Sequence, residues 1–170
     1  MEYGDWKDID GYPNHEVSDQ GFVRHKHMQK ITNGGPDSKG YRVIRLQNTL
    51  HRIHRIVAGA FLDNPDNHPC VDHIDHDKAN NRAENLRWCS HAQNQMNKSK
   101  QRSIISSQFK GVFWQSNVNK WRAQIRIGGK SKHVGIFDCE VQAAVAYNNA
   151  AIQHFREFAS LNVIPLDSVT

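Results

Sequence analysis

Short alternating runs of apolar and polar residues fill the first sixty positions of the chain. Residues 16–17 and 21–23 are candidate strands on either side of a polar turn, and residues 40–46 and 51–54 predict a β-hairpin. The apolar run RIVAGAF at residues 55–61 predicts a short helix. We therefore expect the N-terminal third to be rich in β-structure.

Regular alternation returns in the sequence KWRAQIRI at residues 120–127. A period of two predicts a strand with one apolar face and one polar face. The run DCEVQAAVAYNNAAIQHF predicts a helix that covers the apolar face, with Asp138 as N-cap and Glu140 in its first turn. Its expected apolar positions are Val141, Ala144, Val145, Ile152 and Phe155.

The pattern divides the chain into two parts. Residues 1–97 form the β-rich part and the polar segment that follows it, and residues 109–170 form a sheet with one helix. Residues 98–108, KSKQRSIISSQ, show little periodicity and are predicted to be a linker. The expected fold class is α+β.

Composition excludes several classes of protein. A hydrophobic content of 38% is lean but sufficient for small cores, and no apolar run is long enough to span a membrane. The start lacks the apolar region of a signal peptide. The three cysteines are too few and too far apart for a disulfide framework or a structural zinc site. We expect a soluble, intracellular (cytoplasmic) protein without a membrane partner.

The distribution of charge along the chain indicates more about the binding partner than the net charge of +5 does. Residues 85–137 contain no Asp or Glu but ten Lys and Arg, and residues 20–62 contain one acid, Asp37, against eight Lys and Arg. Six acids lie between Asp63 and Glu84. Two basic regions on either side of an acidic one predict a bound polyanion, and double-stranded DNA is the expected partner.

The polar segment VDHIDHDKANNRAENLRWCSHAQNQMN, residues 71–97, carries the candidate chemistry. Residues 71–73 and 86–88 predict two strands, and Ser90 is a good N-cap for a short helix over residues 91–96. Asp72 and Asn94 supply the hard oxygen ligands that suit one Mg²⁺ or Mn²⁺ ion. A neutral His73 beside them can take a proton from a water that attacks phosphorus.

This order of residues resembles the HNH nuclease motif of phage and intron homing endonucleases, in the variant whose last histidine is an asparagine. The resemblance implies a ββα-metal fold in which Asp72 and Asn94 bind the metal, His73 is the general base, and Asn85 orients it. Arg87 is expected near the scissile phosphate. Residues 6–24, WKDIDGYPNHEVSDQGFVR, resemble the tryptophan-led module found ahead of such domains.

The C-terminal part, residues 109–162, resembles the Apetala-type DNA-binding domain of plant ethylene-response factors. Its landmarks include Gly111-Val112, Lys120-Trp121 and Phe137-Asp138. The resemblance implies a three-stranded antiparallel sheet packed on one helix. The DNA-contacting positions that it implies are Lys110, Phe113, Gln124, Arg126 and His133. The alternation adds Arg122, and the basic linker adds Lys98 and Lys100.

Other interpretations of single residues remain open. Asp72 could cap a turn, and Asn80 with Asn81 could supply left-handed conformations in a tight loop. Loop solvation accounts best for Asp75, His76 and Asp77, and His54 is expected to be a hydrogen-bonded structural histidine.

The combined prediction is a site-specific, divalent-metal-dependent DNA endonuclease that nicks as a monomer. Two alternatives are kept: a non-catalytic sequence-specific DNA-binding regulator with a degenerate nuclease fold, and an RNA-binding module.

Overall fold

The computed structural model describes residues 3–28, 30–97 and 106–165. The chain divides into two compact units, Met1–Asn94 and Gln95–Thr170. No helix within the described residues is long and apolar enough to cross a membrane.

The first unit contains three small antiparallel sheets. One has four strands in the order β1-β2-β3-β4, one has the order β5-β6-β7, and β8 pairs with β9 alone. The elements are β1 (Trp6–Ile9), β2 (Tyr12–Ser18), β3 (Val23–His25), β4 (Ile31–Thr32), β5 (Gly35–Pro36), β6 (Arg42–Leu46), β7 (Thr49–Arg52), α1 (Ile53–Phe61), β8 (Cys70–His73) and β9 (Leu86–Cys89).

Helix α1 and the inner faces of the first two sheets enclose one apolar core. Val17, Val23 and Leu46 from the strands pack with Ile53 and Val57 of the helix, and all five are almost fully buried. The predicted hairpin is confirmed, but its turn is tighter than expected. β6 and β7 are joined by only two residues, Gln47 and Asn48, with Gln47 at a φ of 47°.

Strands β8 and β9 confirm the predicted strand-strand-helix arrangement of the polar segment. Their register places Asp72 opposite Arg87 and His73 opposite Leu86. Helix α2 (His91–Met96) follows β9 directly. The Gln93 amide donates to Ser90 Oγ at 3.2 Å, and the Ser90 amide donates to Gln93 Oε1 at 2.7 Å. This reciprocal pair satisfies two backbone donors and fixes where the helix begins.

The second unit is a three-stranded antiparallel sheet covered by one helix, as the sequence predicted. Its elements are β10 (Val112–Gln115), β11 (Lys120–Ile127), β12 (Lys130–Phe137) and α3 (Glu140–Phe155), with the strand order β10-β11-β12. Ala123 and Ile125 point inward from β11, as the alternation requires.

The predicted apolar face of α3 is partly wrong. The buried stripe consists of Ala143, Tyr147, Ala151 and Phe155, four residues apart, with Ala144 beside it. Val145 and Ile152 are exposed, because they lie to the side of this stripe at 100° per residue. Small alanines let the helix approach the sheet closely. The N-cap is Cys139 and not Asp138, and Cys139 makes no side-chain capping bond.

Candidate active site

Asp72 and His73 end strand β8, and both side chains are buried. The Arg87 guanidinium lies opposite on β9 and donates to Asp72 Oδ2 from Nη2 at 2.8 Å and from Nε at 3.0 Å. A buried carboxylate needs such a partner, since burial of an unpaired charge is costly. Arg87 therefore contacts the predicted metal ligand itself.

His73 is held by two side chains that the sequence did not assign to it. Its Nε2 lies 3.0 Å from Asn81 Oδ1. The Asn81 Nδ2 donates to the Ala79 carbonyl, so the amide presents its oxygen to the imidazole. The ring of His54 packs edge to face on that of His73, with centroids 5.0 Å apart.

The Asn85 side chain, predicted to orient His73, contacts the loop after β8 instead. Its Nδ2 donates to Asp75 Oδ1 and to the Asn80 carbonyl, both at 2.9 Å, and its Oδ1 accepts from the Asp75 amide. These contacts use both amide hydrogens, so Asn85 fixes the loop after β8 and not the imidazole ring. Its backbone carbonyl accepts from the Ile74 amide, which anchors the residue that follows His73.

His54 is buried, as expected for a structural histidine, but one of its ring nitrogens lacks the expected hydrogen bond to any described residue. It is 4% exposed, and its Nδ1 has no hydrogen-bond partner within the described part of the chain. Burial, aided by the neighbouring His73 ring, lowers the pKa of His54 to about 3. A neutral imidazole thus forms one wall around the candidate base.

Tyr41 packs beside both imidazole rings, and two cations lie over its own ring. Its ring lies 5.2 Å from that of His54 and 6.1 Å from that of His73. The Arg52 guanidinium and the Lys78 ammonium lie 4.6 Å and 4.8 Å from the Tyr41 centroid. Sequence reasoning missed this group, because its members are spread over residues 41–78 and share no motif.

The loop between β8 and β9 is hydrogen-bonded within itself. Asp75, although exposed, accepts from Asn80 Nδ2 at 2.7 Å and from the Asp77 amide at 2.8 Å. Partial burial acts to raise the pKa of Asp75, but the hydrogen bonds from Asn80 and Asn85 outweigh it and hold that pKa below its ordinary value. The left-handed residue of the loop is His76, at a φ of 67°, and not Asn80 or Asn81.

Asn94 lies half-buried on α2, and its backbone amide donates to the Ser90 carbonyl at 3.0 Å. Within the described residues, no three His, Cys, Asp or Glu side chains come together to hold a metal ion. A metal site here would therefore depend on one carboxylate, on amide oxygens and on ligands from outside the chain.

Comparison with known families bears on this arrangement directly. Residues 51–96, which include β8, the loop, β9 and α2, match the HNH endonuclease family. The chain contains an HNH endonuclease domain. Residues 5–47 match the NUMOD4 motif, which confirms the tryptophan-led module ahead of the nuclease.

Several relatives of this chain come from viruses. It is 35% identical over 96 residues to the uncharacterized HNH endonuclease L245 of Acanthamoeba polyphaga mimivirus, covering 54% of this chain and 29% of the relative. It is 34% identical over 102 residues to the DNA endonuclease I-HmuI of Bacillus phage SP01, covering 55% and 59%. The solved structure of I-HmuI, described as DNA binding and cleavage by the HNH homing endonuclease, aligns with a TM-score of 0.49 at 32% identity, covering 55% of this chain and 56% of that one. The chain thus spans less than two thirds of each of these relatives.

The second unit gathers several of the predicted DNA-contacting side chains on the sheet face away from α3. Arg122 pairs across the strands with Phe113 and Ile136, and Gln124 pairs with His133. Cross-strand partners share a face. Ala123 and Ile125, which alternate with Arg122 and Gln124 along β11, face the helix. Arg122 and Gln124 therefore face the other way.

Lys110 and Arg126 have structural contacts that their predicted DNA roles did not include. The Lys110 ammonium donates to the Met96 carbonyl at 3.2 Å, and burial lowers its pKa to about 8. The Lys110 ammonium is thus engaged within the second unit, and its DNA contact stays a prediction. Arg126 is exposed, and its Nε donates to the Gly129 carbonyl at the β11–β12 turn. Lys98 and Lys100 lie outside the described residues.

Proposed function

We propose that the protein is a divalent-metal-dependent endonuclease that hydrolyses a phosphodiester bond in double-stranded DNA. The observation that carries the proposal is the buried Asp72-His73 pair at the end of β8, within the residues that match the HNH family. His73 is fixed by neighbouring side chains and flanked by a neutral, buried imidazole, which suits a group that must accept a proton.

The donor set fits a hard divalent ion such as Mg²⁺ or Mn²⁺. Asp72 offers a carboxylate, of which Arg87 occupies Oδ2, and Asn94 offers an amide oxygen. Mg²⁺ binds through one or two protein oxygens and keeps its remaining positions for water and phosphate, so no larger cluster is required. When bound, the ion would stabilise the negative charge that develops on the phosphate and on the leaving oxygen.

The chain's own residues would divide the reaction between them. His73 takes a proton from water as the water oxygen bonds to phosphorus, and the bond from phosphorus to the leaving oxygen breaks. Arg87 holds the Asp72 carboxylate in place and neutralises part of its charge. Arg52 and Lys78, which flank Tyr41 beside the base, supply positive charge that attracts the DNA backbone.

The second unit would select the sequence that is cut. Its outward sheet face carries Arg122, Gln124 and His133, and the buried Nε of Arg122 has no hydrogen-bond partner among the described residues. A major groove admits a two-stranded β-ribbon, such as β11 with β12, and Arg and Gln there recognise guanine and adenine. One active site in each chain predicts a nick by a monomer, as in a homing endonuclease of a phage or mobile element.

Cleavage of supercoiled plasmid tests the proposal. With Mg²⁺ or Mn²⁺ the purified protein should convert supercoiled DNA to the nicked circle, and a chelator should stop it. A double-stranded RNA of similar length is the control for the nucleic-acid class. Absence of any cleavage with either ion, together with retained DNA binding, would instead support the non-catalytic regulator.

A further inference from the structure

The HNH match accounts for the type of domain, but it leaves open what holds the base histidine in place. Asn85 was expected to do so, and its side chain is fully engaged with Asp75 and Asn80. Asn81, which is 4% exposed, lies within hydrogen-bonding distance of the His73 ring.

The hydrogen-bond geometry of Asn81 determines the direction of this contact. Because its Nδ2 donates to the Ala79 carbonyl, its Oδ1 faces the imidazole at 3.0 Å. An amide oxygen can only accept. His73 must therefore carry a hydrogen on Nε2, and in the neutral ring the lone pair then lies on Nδ1.

Asn81 is itself held by the N-terminal module. A Cβ added to Gly21, in the turn between β2 and β3, would lie 2.9 Å from Asn81 Cβ and 3.0 Å from its carbonyl oxygen. Two positions further along, the Ala83 amide donates to the Asp19 carbonyl at 2.7 Å. The turn at residues 19–21 thus packs against the segment that presents the Asn81 amide.

We propose that Asn81 is the positioning residue of the catalytic base: its amide oxygen holds His73 as the Nε2–H tautomer, so that Nδ1 takes the proton from water. The turn of the NUMOD4 module that contains Gly21 supports Asn81 from behind. The module therefore contributes to catalysis through packing as well as through any contact with DNA. This inference rests on the proposed function, in which His73 is the base.

Nuclear magnetic resonance of the full chain, free of DNA and metal, tests the positioning directly. Long-range ¹⁵N correlations of the neutral His73 ring should show hydrogen on Nε2 in the wild type. Asn81→Asp keeps an oxygen acceptor and should keep this tautomer, whereas Asn81→Leu removes it and should give a mixture. Hydrogen on Nδ1 in the wild type, or an unchanged tautomer in Asn81→Leu, would overturn the proposal.

The rate of plasmid nicking then tests whether the position of the His73 ring affects catalysis. Asn81→Leu should lower kcat by about tenfold or more with little change in KM, because a misplaced base affects the transition state and not substrate binding. Asn81→Asp should retain more activity than Asn81→Leu. Equal losses in both variants would indicate a structural role for the loop and would contradict the proposal.

Asn80→Ala is the matched control, because Asn80 is the adjacent residue of the same type and its amide contacts Asp75 and not His73. It should leave the His73 tautomer unchanged, and a changed tautomer would contradict the assignment to Asn81. Gly21→Ala should shift the tautomer in the same direction as Asn81→Leu, and an unaltered His73 spectrum would remove the support role of the module. The spectra need no cleavage, so failure of the proposed function and failure of this inference are distinguishable.

Discussion

Asp72 and His73 are neighbours in one strand, yet different kinds of side chain hold them. A guanidinium donates twice to the carboxylate, whereas an amide oxygen and a second imidazole contact the histidine. The first arrangement keeps a charge in place, and the second holds a ring in one orientation. These contacts suit the different tasks that we propose for the two residues, metal binding for Asp72 and proton transfer for His73.

The low pKa of His54 makes stability depend on pH. Its folded pKa of about 3 lies below the unfolded value near 6.5, so its contribution is fully present above pH 6.5 and is lost as pH falls toward 3. From pH 6.5 to pH 5 the free energy of unfolding should drop by about 2 kcal/mol more in the wild type than in His54→Phe. Urea unfolding at several pH values measures this. A constant difference between the two proteins would contradict it.

Removal of Arg87 should destabilise the first unit strongly. Arg87→Ala leaves the Asp72 carboxylate, whose side chain is 8% exposed, without this partner, and we expect a loss of about 3 kcal/mol in unfolding free energy. Arg82→Ala is the matched control, since its pair with Glu84 is exposed and 3.5 Å long, and it should cost less than about 0.5 kcal/mol. Denaturant titration in metal-free buffer compares them. Similar losses in the two variants would show that the buried Arg87–Asp72 pair stabilises the fold no more than an exposed ion pair.

Single residues were the hardest to assign from sequence. The Asp-His-Asn order located the site, but the partners of its side chains depend on contacts that no spacing reveals. Asn81 looked like a turn residue because Asn-Asn pairs favour turns. His54 looked hydrogen-bonded because buried imidazoles usually are. Only the path of the loop and the position of α1 decide which amide and which ring meet His73.

At the level of elements, periodicity predicted the β6–β7 hairpin, helix α1, strand β11 and helix α3. The alternation in β11 and the capping pair at Ser90 both act within a few residues, so sequence spacing was sufficient to place them. The face of α3 was partly misassigned because the sequence has apolar residues on several sides of the helix. The side of α3 that packs depends on its fit to the sheet, and the side with the small alanines lies against it.

Gly111 tests how tightly α3 packs on that sheet. It has a φ of +74°, and an added Cβ would overlap the Tyr147 ring. Gly111→Ala should therefore lower the unfolding free energy by about 2 kcal/mol or more. Gly129→Ala has a similar φ of +80° but nothing within 4 Å, and should cost about 1 kcal/mol. Thermal unfolding of both variants measures the difference. Equal losses of stability in the two variants would mean that α3 can move to accommodate the added methyl group without loss of packing energy.

For the whole molecule, charge and composition already indicated the partner that we propose, double-stranded DNA. The acid-free residues 85–137 cover β9, α2, β10, β11 and the whole of β12, and so include the outward sheet face of the second unit. Composition could not predict which lysines are free, and Lys110 is half-buried against the Met96 carbonyl. The boundary between the compact units, after Asn94, was expected a few residues later.

The proposed division of roles, with cleavage in the first unit and sequence recognition in the second, can be tested in the full chain. Gln124→Ala should weaken binding to the preferred site by about 1–3 kcal/mol and leave other sequences unaffected, because it removes a directional contact to a base edge. Lys130→Ala, an exposed cation at the start of β12, should weaken binding to all sequences alike. Cleavage maps on one long natural DNA, read beside affinities, compare the two. A uniform loss with Gln124→Ala would move the source of specificity to the first unit.

The proposal as a whole depends on His73 as the base of a metal-dependent cut. The decisive measurement is the single-turnover rate of plasmid nicking in Mg²⁺ by His73→Ala, with DNA affinity measured on the same preparation. We expect the rate to fall by at least about a hundredfold while the affinity stays unchanged, since the imidazole moves a proton and does not bind the phosphate. His76→Asn, an exposed histidine of the same loop, is the control and should cut like the wild type. A His73→Ala protein that nicks at the wild-type rate would contradict the assignment of the active site.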